Sequence, residues 1–496
     1  MADLRDPRRF DSVVASPVPP GAGDSDRNTR EEHRMKNRRL AISSLLVVLA
    51  LVAVACGDDD AATTTTAAST TTAATATTTA TTTLPPPPEV ARDLGVTPAP
   101  CAEAVNQGNG CIYLGVISDL TDGPFAPLGV PLTQAQEDFW ATVNAGGGID
   151  GWDVVITAEN TVDAHYDAAQ TAEGAVTLSE RVLGLAQVLG TPQTLGALPT
   201  FVDGDIVAAP ATWFSGWAFT DVDQGLIMES GAPYCFEAMN GMEALYDLRG
   251  AFTYALVLFP GDYGGDYGAG AKIAAAQLGL GDPVAEIQLT PVSFGGDVAA
   301  AVAELLAAQP EVIVMVTGPT EMAQIAGGLF QNGFQTFQIL GAGPTWNVAL
   351  KANADLMPLL EAAYIGTSPW AGWDTDTPGH AAMRDAATAA GRGPSGSYVA
   401  GWTWQYPWLS LLTEAIASGD LTRANVAALA AELDAIDYQG ILPERSYVGT
   451  PNEHAERSTF LNKADAASSD GLTPLTDAFV GQIAADFDLA APCFVG

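Results

Sequence analysis

The sequence predicts an α/β protein of two lobes, each built on a parallel sheet with helices on both faces. Three observations lead to this prediction. Short apolar, β-branched segments alternate with helical segments of about 10 to 15 residues. The alternation occurs in two series, and the second begins near residue 238. With 496 residues, 48% of them hydrophobic, the chain can bury more than one core.

The first series opens with a strand at residues 112–118 and a helix at 133–144, which Gly146-Gly147-Gly148 ends. Further strands are predicted at 153–159, 182–190 and 205–209, and further helices at 164–178 and 193–201. The second series predicts helices at 238–248, 268–278, 297–308 and 320–332, with strands at 253–259, 284–290, 311–317 and 337–341. Such alternation is typical of doubly wound parallel sheets.

The charge balance excludes one class of partner. Twenty Lys and Arg residues stand against 58 Asp and Glu residues, so the formal net charge is −38. Binding to nucleic-acid phosphates requires clustered cations, which this composition does not provide. We therefore expect no nucleic-acid partner.

Residues 1–55 are predicted to be an N-terminal extension followed by a lipoprotein signal peptide. Met35-Lys-Asn-Arg-Arg precedes an apolar stretch from Leu40 to Ala55, which is shorter than the roughly 20 residues needed to span a bilayer. Ala53-Val54-Ala55-Cys56 resembles a bacterial lipobox, although Ala53 departs from the usual Leu. Cys56 is thus the expected lipid-bearing residue; ordinary cleavage with a spare cysteine is the alternative.

A low-complexity segment follows Cys56. Residues 61–83 contain only Ala, Thr and Ser, and Pro85 to Pro88 follow. Such a composition cannot bury enough apolar surface to fold, so residues 56–108 are predicted to be a disordered tether.

Four cysteines remain beyond the tether's start: Cys101, Cys111, Cys235 and Cys493. In an exported protein an even number favours disulfides, and four cysteines allow three pairings. The turn-forming residues between Cys101 and Cys111 favour that pair, and Cys235 with Cys493 then follows by elimination. No CxxC or clustered Cys/His pattern occurs, so we expect no metal site.

Several ordered motifs resemble the leucine/isoleucine/valine-type periplasmic binding proteins of ABC transporters. They are Ser118-Asp-Leu-Thr-Asp-Gly-Pro-Phe-Ala-Pro-Leu-Gly129, Asn144-Ala-Gly-Gly-Gly-Ile-Asp-Gly151, Asp266-Tyr-Gly-Ala-Gly270 and Ala363-Tyr-Ile-Gly-Thr-Ser-Pro-Trp370. The resemblance covers roughly residues 110–475. It implies the type 1 periplasmic binding fold, in which a three-strand hinge joins the lobes. The expected N-terminal lobe is 109–235 with 368–438, and the C-terminal lobe is 236–367 with 439–496.

The resemblance also implies which residues contact a ligand. On the first lobe they are Leu128, Thr191, Gln193, Ala211 and Thr212, and on the second lobe Tyr267. Two further ligand contacts are expected on the second lobe without a family match: Thr317, whose loop lacks a clear match to the family's aromatic, and Trp346, which offers an aromatic wall. Two of these residues have a purely structural alternative: Thr191 as a helix N-cap and Tyr267 as a core tyrosine. Most of the remaining tryptophans are expected in the core, with one of Trp213 or Phe214 facing the cleft.

One departure from the family pattern affects the expected ligand. Amino-acid binders of this family place a carboxylate after the strand equivalent to 337–341, but here the loop reads Ala342-Gly-Pro-Thr-Trp346. A buried ligand ammonium without a counter-charge is costly. Either Asp262, Asp266 or Glu321 replaces the missing acid, or the ligand is not an amino acid.

The sequence therefore predicts an exported solute-binding lipoprotein that delivers a small molecule to ABC permease subunits. The expected ligand is an amino-acid-like compound, an amide, or an aromatic or apolar carboxylate. We expect a monomer without cofactors, anchored by lipid to the outer face of a bacterial cell membrane. An extracellular sensor of the same fold is the alternative. An enzyme is disfavoured because no G-x-S-x-G, HExxH or P-loop motif occurs.

Overall fold

The computed structural model of the protein describes residues 88–495. The predicted signal peptide, Cys56 and most of the predicted tether lie outside these residues. The first part of the described chain forms strands and helices in alternation: β1 (Ala91–Arg92), β2 (Val96–Thr97), β3 (Gly110–Ser118), α1 (Ala126–Ala145), β4 (Trp152–Asp163), α2 (Ala168–Ser179), β5 (Gly184–Leu189), α3 (Thr191–Asp203), β6 (Ala208–Ala211) and α4 (Thr220–Asp223).

The first sheet is centred on β3. Strands β4 and β5 flank β3 in parallel, β6 continues the sheet beyond β5, and β2 pairs with the start of β3 in the antiparallel direction. Strand β5 is buried along its whole length, as expected for a parallel strand covered by helices on both faces. The carboxyl ends of β3, β4, β5 and β6 consequently lie at one edge of the sheet.

The second lobe contains the next elements: α5 (Tyr234–Arg249), β7 (Tyr254–Leu258), α6 (Asp262–Leu278), β8 (Ala285–Gln288), α7 (Val298–Ala308), β9 (Val312–Val316), α8 (Pro319–Gln331), β10 (Gln338–Gly341), α9 (Met357–Ala363) and β11 (Tyr364–Ser368). Strands β8, β7, β9, β10 and β11 pair in that order, all parallel. This sheet has an additional apolar core of its own, formed with α7, α8 and α9.

After β11 the chain returns to the first lobe and then crosses back. The remaining elements are α10 (Pro378–Ala389), α11 (Gly396–Thr403), α12 (Gln405–Ser418), β12 (Asp420–Leu421), α13 (Arg423–Ala430), α14 (Pro451–His454), β13 (Phe460–Ala464), β14 (Leu472–Pro474) and α15 (Gln482–Asp486). Helices α10 and α11 pack against α1. Strand β13 joins the second sheet beside β11 in the antiparallel direction, and β14 extends that edge.

The chain passes between the lobes three times, near residues 230–233, 369–370 and 439–459. The middle passage leaves β11 directly, whereas the other two consist largely of irregular backbone. Arg445 ties the first and third passages together, because its guanidinium donates to the Gly231 carbonyl at 2.9 Å and lies 3.7 Å from the buried Glu229 carboxylate.

The predicted tether is too long at its C-terminal end. Within residues 88–108, Val90 is buried, β1 pairs with β12, and β2 pairs with β3. The apolar residues Val90 and Val96 provide the burial that the Thr/Ala-rich segment lacks. The structure also contains both disulfides, Cys101–Cys111 and Cys235–Cys493.

All fifteen helices and strands expected in the two series are present, but helices α1, α5 and α6 begin four or more residues earlier than predicted. Helix α1 begins at Ala126 because Pro127 occupies its first turn, where a missing N–H is tolerated. Helix α6 begins at Asp262 despite four glycines within its first nine residues. At Gly270 a Cβ atom would lie 2.2 Å from the Cys235 carbonyl oxygen, so the glycine lets α6 pack closely against α5.

Candidate functional site

A cleft lies between the carboxyl edges of the two sheets. It encloses about 1000 Å³, part of which is open to solvent. Loops after β3, β5, β6, β10 and β11 line it, together with the start of α11. This edge is where ligands bind in open parallel sheets, because the loops after the strands converge there.

Two threonine hydroxyls form the polar part of the first-lobe wall. Thr191 begins α3 directly after β5, and Thr212 directly follows β6. Because β5 and β6 are neighbouring parallel strands, their loops bring the two hydroxyls into a hydrogen bond with each other. Both threonines are buried and both line the cleft.

Gly190 shapes the turn that leads into α3. Its φ is 96°, a conformation that favours glycine, and a Cβ atom there would lie 2.1 Å from the Gln193 side-chain oxygen. No side chain caps this helix and Pro192 has no N–H, so the N–H groups of Thr191 and Gln193 in the first turn can donate to an acceptor beyond its N-terminus. The first-lobe wall therefore offers backbone and hydroxyl donors to a ligand oxygen.

Three tyrosines add phenol groups to the same region. Tyr166, Tyr234 and Tyr263 line the cleft, and the rings of Tyr234 and Tyr263 lie 4.9 Å apart. Burial raises the pKa of each phenol above its ordinary value. All three are consequently neutral hydroxyl groups at physiological pH.

The second-lobe wall has a network of hydroxyls behind it. Thr367, on β11, lines the cleft, and its Oγ1 lies 2.9 Å from the Tyr267 hydroxyl. Thr345 is buried, and its Oγ1 lies 2.9 Å from the Tyr364 hydroxyl. Burial raises the pKa values of the Tyr267 and Tyr364 phenols as well.

Four tryptophans contribute to the apolar surface of the cleft. The ring of Trp213 lies 5.2 Å from that of Trp370 and 5.6 Å from that of Trp404. The Trp346 ring lies 5.0 Å from that of Tyr364, in a tilted arrangement. The indole N–H groups of Trp213 and Trp346 donate to the carbonyls of Ser230 and Asp470, at 2.9 and 3.1 Å. Their polar atoms are therefore occupied, and these two rings contribute mainly apolar surface to a ligand.

No lysine, arginine or histidine lines the cleft within the part of the chain that the structure describes. Asp470, on the loop between β13 and β14, is the one acidic lining residue there. Burial raises the pKa of its carboxyl to about 6, and Leu472 N–H donates to its Oδ1 at 3.2 Å. A ligand anion would therefore be bound by hydrogen-bond donors and not by a counter-ion.

The two lobes meet at the rim of the cleft. Asn347 of the second lobe donates to the Pro127 carbonyl of the first at 2.9 Å. The Phe125 ring lies 5.9 Å from both Phe259 and Tyr263 across the same boundary. The lobes are thus in contact around the cleft.

The structure separates the sequence-predicted ligand residues into two groups. Leu128, Thr191, Ala211, Thr212 and Trp346 line the cleft. Gln193, Tyr267 and Thr317 are buried but do not line it. Gln193 donates to the Tyr166 carbonyl at 2.7 Å, and Thr317 accepts at its carbonyl from the Tyr263 hydroxyl at 3.1 Å. These two therefore support lining tyrosines from behind.

None of the three proposed replacement acids lines the cleft. The Asp266 carboxylate is buried at the lobe boundary, where it accepts hydrogen bonds from the N–H groups of Ser215 and Cys235, both at 3.2 Å. Glu321 accepts from Val292 N–H at 2.8 Å. Asp262 stands at the start of α6. Asp470 and Glu237 are the acids that sequence reasoning missed, because neither follows a predicted strand of the parallel sheets.

Between residues 88 and 495, no helix is both long enough and apolar enough to cross a bilayer.

Comparisons with known proteins agree with this geometry. Residues 111–471 match the family model described as periplasmic binding protein. A fatty acid ABC transporter substrate-binding protein from Thermomonospora curvata is similar, with 26% identity and a TM-score of 0.71 over 80% of this chain and 97% of that chain. No curated protein sequence matches.

Two further solved structures share the fold. One is a branched chain amino acid ABC transporter protein from Thermus thermophilus with bound valine, at 19% identity and a TM-score of 0.63, covering 76% of this chain and 98% of that one. The other is a solute binding protein from Rhodopseudomonas palustris HaA2 in complex with p-hydroxybenzoic acid, at 16% identity and a TM-score of 0.61, covering 75% and 97%.

Proposed function

The chain belongs to the periplasmic binding protein family, and on that basis we propose that its solute is a monocarboxylic acid with a large apolar body. The protein is an extracytoplasmic solute-binding component that delivers a small molecule to an ABC importer. Members of this family bind solutes and are not enzymes.

The residues that line the cleft are the main support for a monocarboxylic acid as the ligand. Hydroxyl donors are available from Thr191, Thr212 and Thr367, and tryptophans and leucines make up much of the remaining wall. A carboxylate needs several donors, and the uncapped start of α3 adds backbone N–H groups to these hydroxyls. An apolar ligand body gains free energy roughly in proportion to the area that it buries against the aromatic walls.

An α-amino acid fits this lining less well. Its ammonium requires an anionic partner, and the loop after β10, residues 342–346, contains no acid. Asp470 would have to serve instead, but it lies on the loop between β13 and β14 and already accepts a backbone hydrogen bond there. The description of the relative from Thermomonospora curvata as a fatty acid binder also supports an apolar acid.

The proposed mechanism is closure of the lobes around the acid. The ligand carboxylate first binds to Thr191, Thr212 and the start of α3 on the first lobe. Contacts from Trp346 and Thr367 on the second lobe then stabilise the closed form, which the permease recognises. Arg445 and Glu229 tie together two of the passages between the lobes and thereby limit the hinge motion.

We also propose that the protein is a lipoprotein anchored through Cys56. The basic segment, the short apolar stretch and the lipobox-like Ala53-Val54-Ala55-Cys56 support this anchor. The acidic, Thr-rich segment that follows would then hold the folded part away from the membrane surface.

The experiment that tests the ligand class has two steps. Small molecules released from the purified, denatured protein are first identified by mass spectrometry. The empty protein is then titrated calorimetrically with dodecanoate, 4-hydroxybenzoate and the twenty amino acids. We expect at least one apolar carboxylate to bind and the amino acids to bind weakly. Submicromolar binding of leucine, isoleucine or valine would contradict the proposal and return the protein to the amino-acid binders.

A further inference from the structure

Glu237 is a buried acid immediately behind the second-lobe wall of the cleft. It lies in the first turn of α5, and its side chain is fully buried. Neither carboxyl oxygen completes a hydrogen bond of ordinary geometry within the described residues. The Thr367 hydroxyl and the Gly343 N–H are donors beside its carboxyl group, and both of these residues line the cleft.

Glu237 lies beside the loop in which this chain lacks the acid that the family pattern places there. Gly343 belongs to the loop after β10, in which amino-acid binders would carry a carboxylate. Here a carboxyl group reaches that loop from α5, on its buried side. Glu237 does not line the cleft itself, so Thr367 and Gly343 stand between it and a ligand.

Phenols surround Glu237, and within residues 88–495 no cation acts on its carboxyl group. Tyr234 on its own helix, Tyr263 and Tyr267 on α6, and Tyr364 on β11 are the titratable groups that face it, and Glu229 is a more remote acid. The phenols remain protonated, and Arg445 lies beside Glu229, with which it is paired. An ionised carboxylate without a counter-charge is costly in such surroundings, so the carboxyl group is uncharged at neutral pH. Its pKa, raised by burial to about 8, agrees.

The protonation of Glu237 determines what Thr367 can offer. The Tyr267 hydroxyl has Thr367 Oγ1 as its partner at 2.9 Å, and either hydroxyl can donate. In the arrangement that we propose, the Tyr267 phenol is the donor. An uncharged Glu237 can accept from Gly343 N–H with one oxygen and donate from the other to Thr367. Among the described residues, the Gly341 carbonyl, at a long 3.3 Å, is then the one remaining acceptor for the Thr367 hydroxyl proton apart from the ligand.

We propose that the buried Glu237 carboxyl group is a positioning residue that turns the Thr367 hydroxyl toward the cleft as a donor, so that the second lobe selects a ligand carboxylate over an ammonium. This inference rests on the proposed function, because it assigns the second-lobe contact of the same acid ligand. An ionised Glu237 would reverse the arrangement, since it would take the Thr367 proton and leave an oxygen lone pair facing the ligand. It would also place a negative charge near the ligand carboxylate.

Carboxylate affinity should therefore fall as the pH rises through the ionisation of Glu237 in the empty protein. The test is calorimetric titration of the full mature chain with dodecanoate between pH 6.5 and pH 9.5. The Glu237→Gln variant keeps the shape and the hydrogen-bonding groups but cannot ionise. We expect the wild type to lose affinity by about tenfold across this range, and Glu237→Gln to match the wild type at pH 6.5 and stay nearly constant.

Two variants at Thr367 act as controls for the contact itself. Thr367→Ser keeps the hydroxyl and should retain both the affinity and the pH profile. Thr367→Val removes the donor and should lower the affinity about tenfold at pH 6.5. Thermal melting of each empty variant verifies that it is folded before the titrations are compared.

The outcomes separate this inference from the proposed function. If dodecanoate binds but Glu237→Gln shows the same pH profile as the wild type, the role of Glu237 is refuted and the ligand class stands. If Glu237→Gln is folded but binds dodecanoate far more weakly at pH 6.5, the ionised form is the active one and the inference is likewise wrong. If the wild type binds dodecylamine or leucine and no carboxylate, both the ligand class and this inference are overturned.

Discussion

The Tyr267 hydroxyl lies 2.9 Å from Thr367 Oγ1, and only the threonine lines the cleft. Tyr267 is completely buried on α6, behind β11. The tyrosine that the family pattern predicts as a direct contact is therefore one residue removed from the ligand in this structure. Its effect on binding should pass through the orientation of Thr367.

Because Thr212 lines the cleft and Tyr267 does not, we expect Thr212→Val and Tyr267→Phe to lower the ligand affinity by different amounts. Thr212→Val removes a hydroxyl at the first-lobe wall and should weaken binding of an apolar carboxylate by roughly 5- to 150-fold. Tyr267→Phe removes only the support behind Thr367, so its loss should be smaller than that of Thr212→Val. Calorimetry with dodecanoate measures both, and melting temperatures of the empty proteins should change little. A larger loss for Tyr267→Phe would instead indicate that Tyr267 reaches the ligand.

The protonation of Glu237 can also be tested without any ligand. Its pKa in the folded protein, about 8, lies above its ordinary value of 4.5, so folding favours the protonated form. The resulting stability is fully present below pH 4.5 and is lost as the pH rises toward 8, by an amount on the order of 4 kcal/mol.

Glu237→Gln does not titrate and should lose less stability over this range than the wild type does. Denaturant unfolding at pH 5 and pH 8 measures the difference between the two proteins. Asp223 and Asp266, whose pKa values burial raises to about 7, contribute in the same direction to both proteins, so the comparison isolates Glu237. Equal pH dependence in the two proteins would show that Glu237 is ionised in the folded state.

The sequence predicted the alternating strands and helices because buried parallel strands leave a strong apolar signal, as in β5 and β9. The positions of Thr191 and Thr212 followed from that alternation, since both residues come directly after parallel strands. Glu237 could not be found in this way. It lies on a helix, and its relevance depends on α5 passing behind the loop that contains Gly343, which is a tertiary relationship between residues far apart in the chain.

The segment before Cys111 was missed for a different reason. Its two short strands contain only two residues each, which is too few to produce an alternating pattern. Asp470 was missed because it lies in the loop between the two antiparallel strands that extend the second sheet, outside the predicted series. Composition and periodicity report on local burial, and neither describes these long-range pairings.

The two disulfides should contribute unequally to stability. Cys235 and Cys493 are separated by 258 residues, whereas Cys101 and Cys111 are separated by 10. A crosslink restricts the unfolded chain more when the loop that it closes is longer, so removing it with Cys493→Ser should cost about 2 to 4 kcal/mol. Removing the disulfide that closes the short loop, with Cys101→Ser, should lower the free energy of unfolding by less.

Urea unfolding of both variants and of the wild type under non-reducing conditions measures this order. Peptide mapping without reductant should find both pairs intact in the wild type. In the folded protein, Cys493 N–H also donates to Ser215 Oγ at 2.8 Å, so the C-terminal segment retains a contact with the first lobe when the disulfide is absent. A larger loss for Cys101→Ser would contradict the entropic argument.

The last prediction concerns the anchor. Cys56→Ser removes the thiol that would be lipidated, so the variant should appear in the soluble fraction when the wild type sediments with membranes. The formal net charge of −38 argues against electrostatic adhesion to an anionic membrane, so a high-salt wash should not release the wild type. Cys101→Ser is the matched control, since it also removes one cysteine but leaves the lipobox-like motif unchanged, and it should remain membrane-bound. Retention of Cys56→Ser in washed membranes would rule out Cys56 as the anchor.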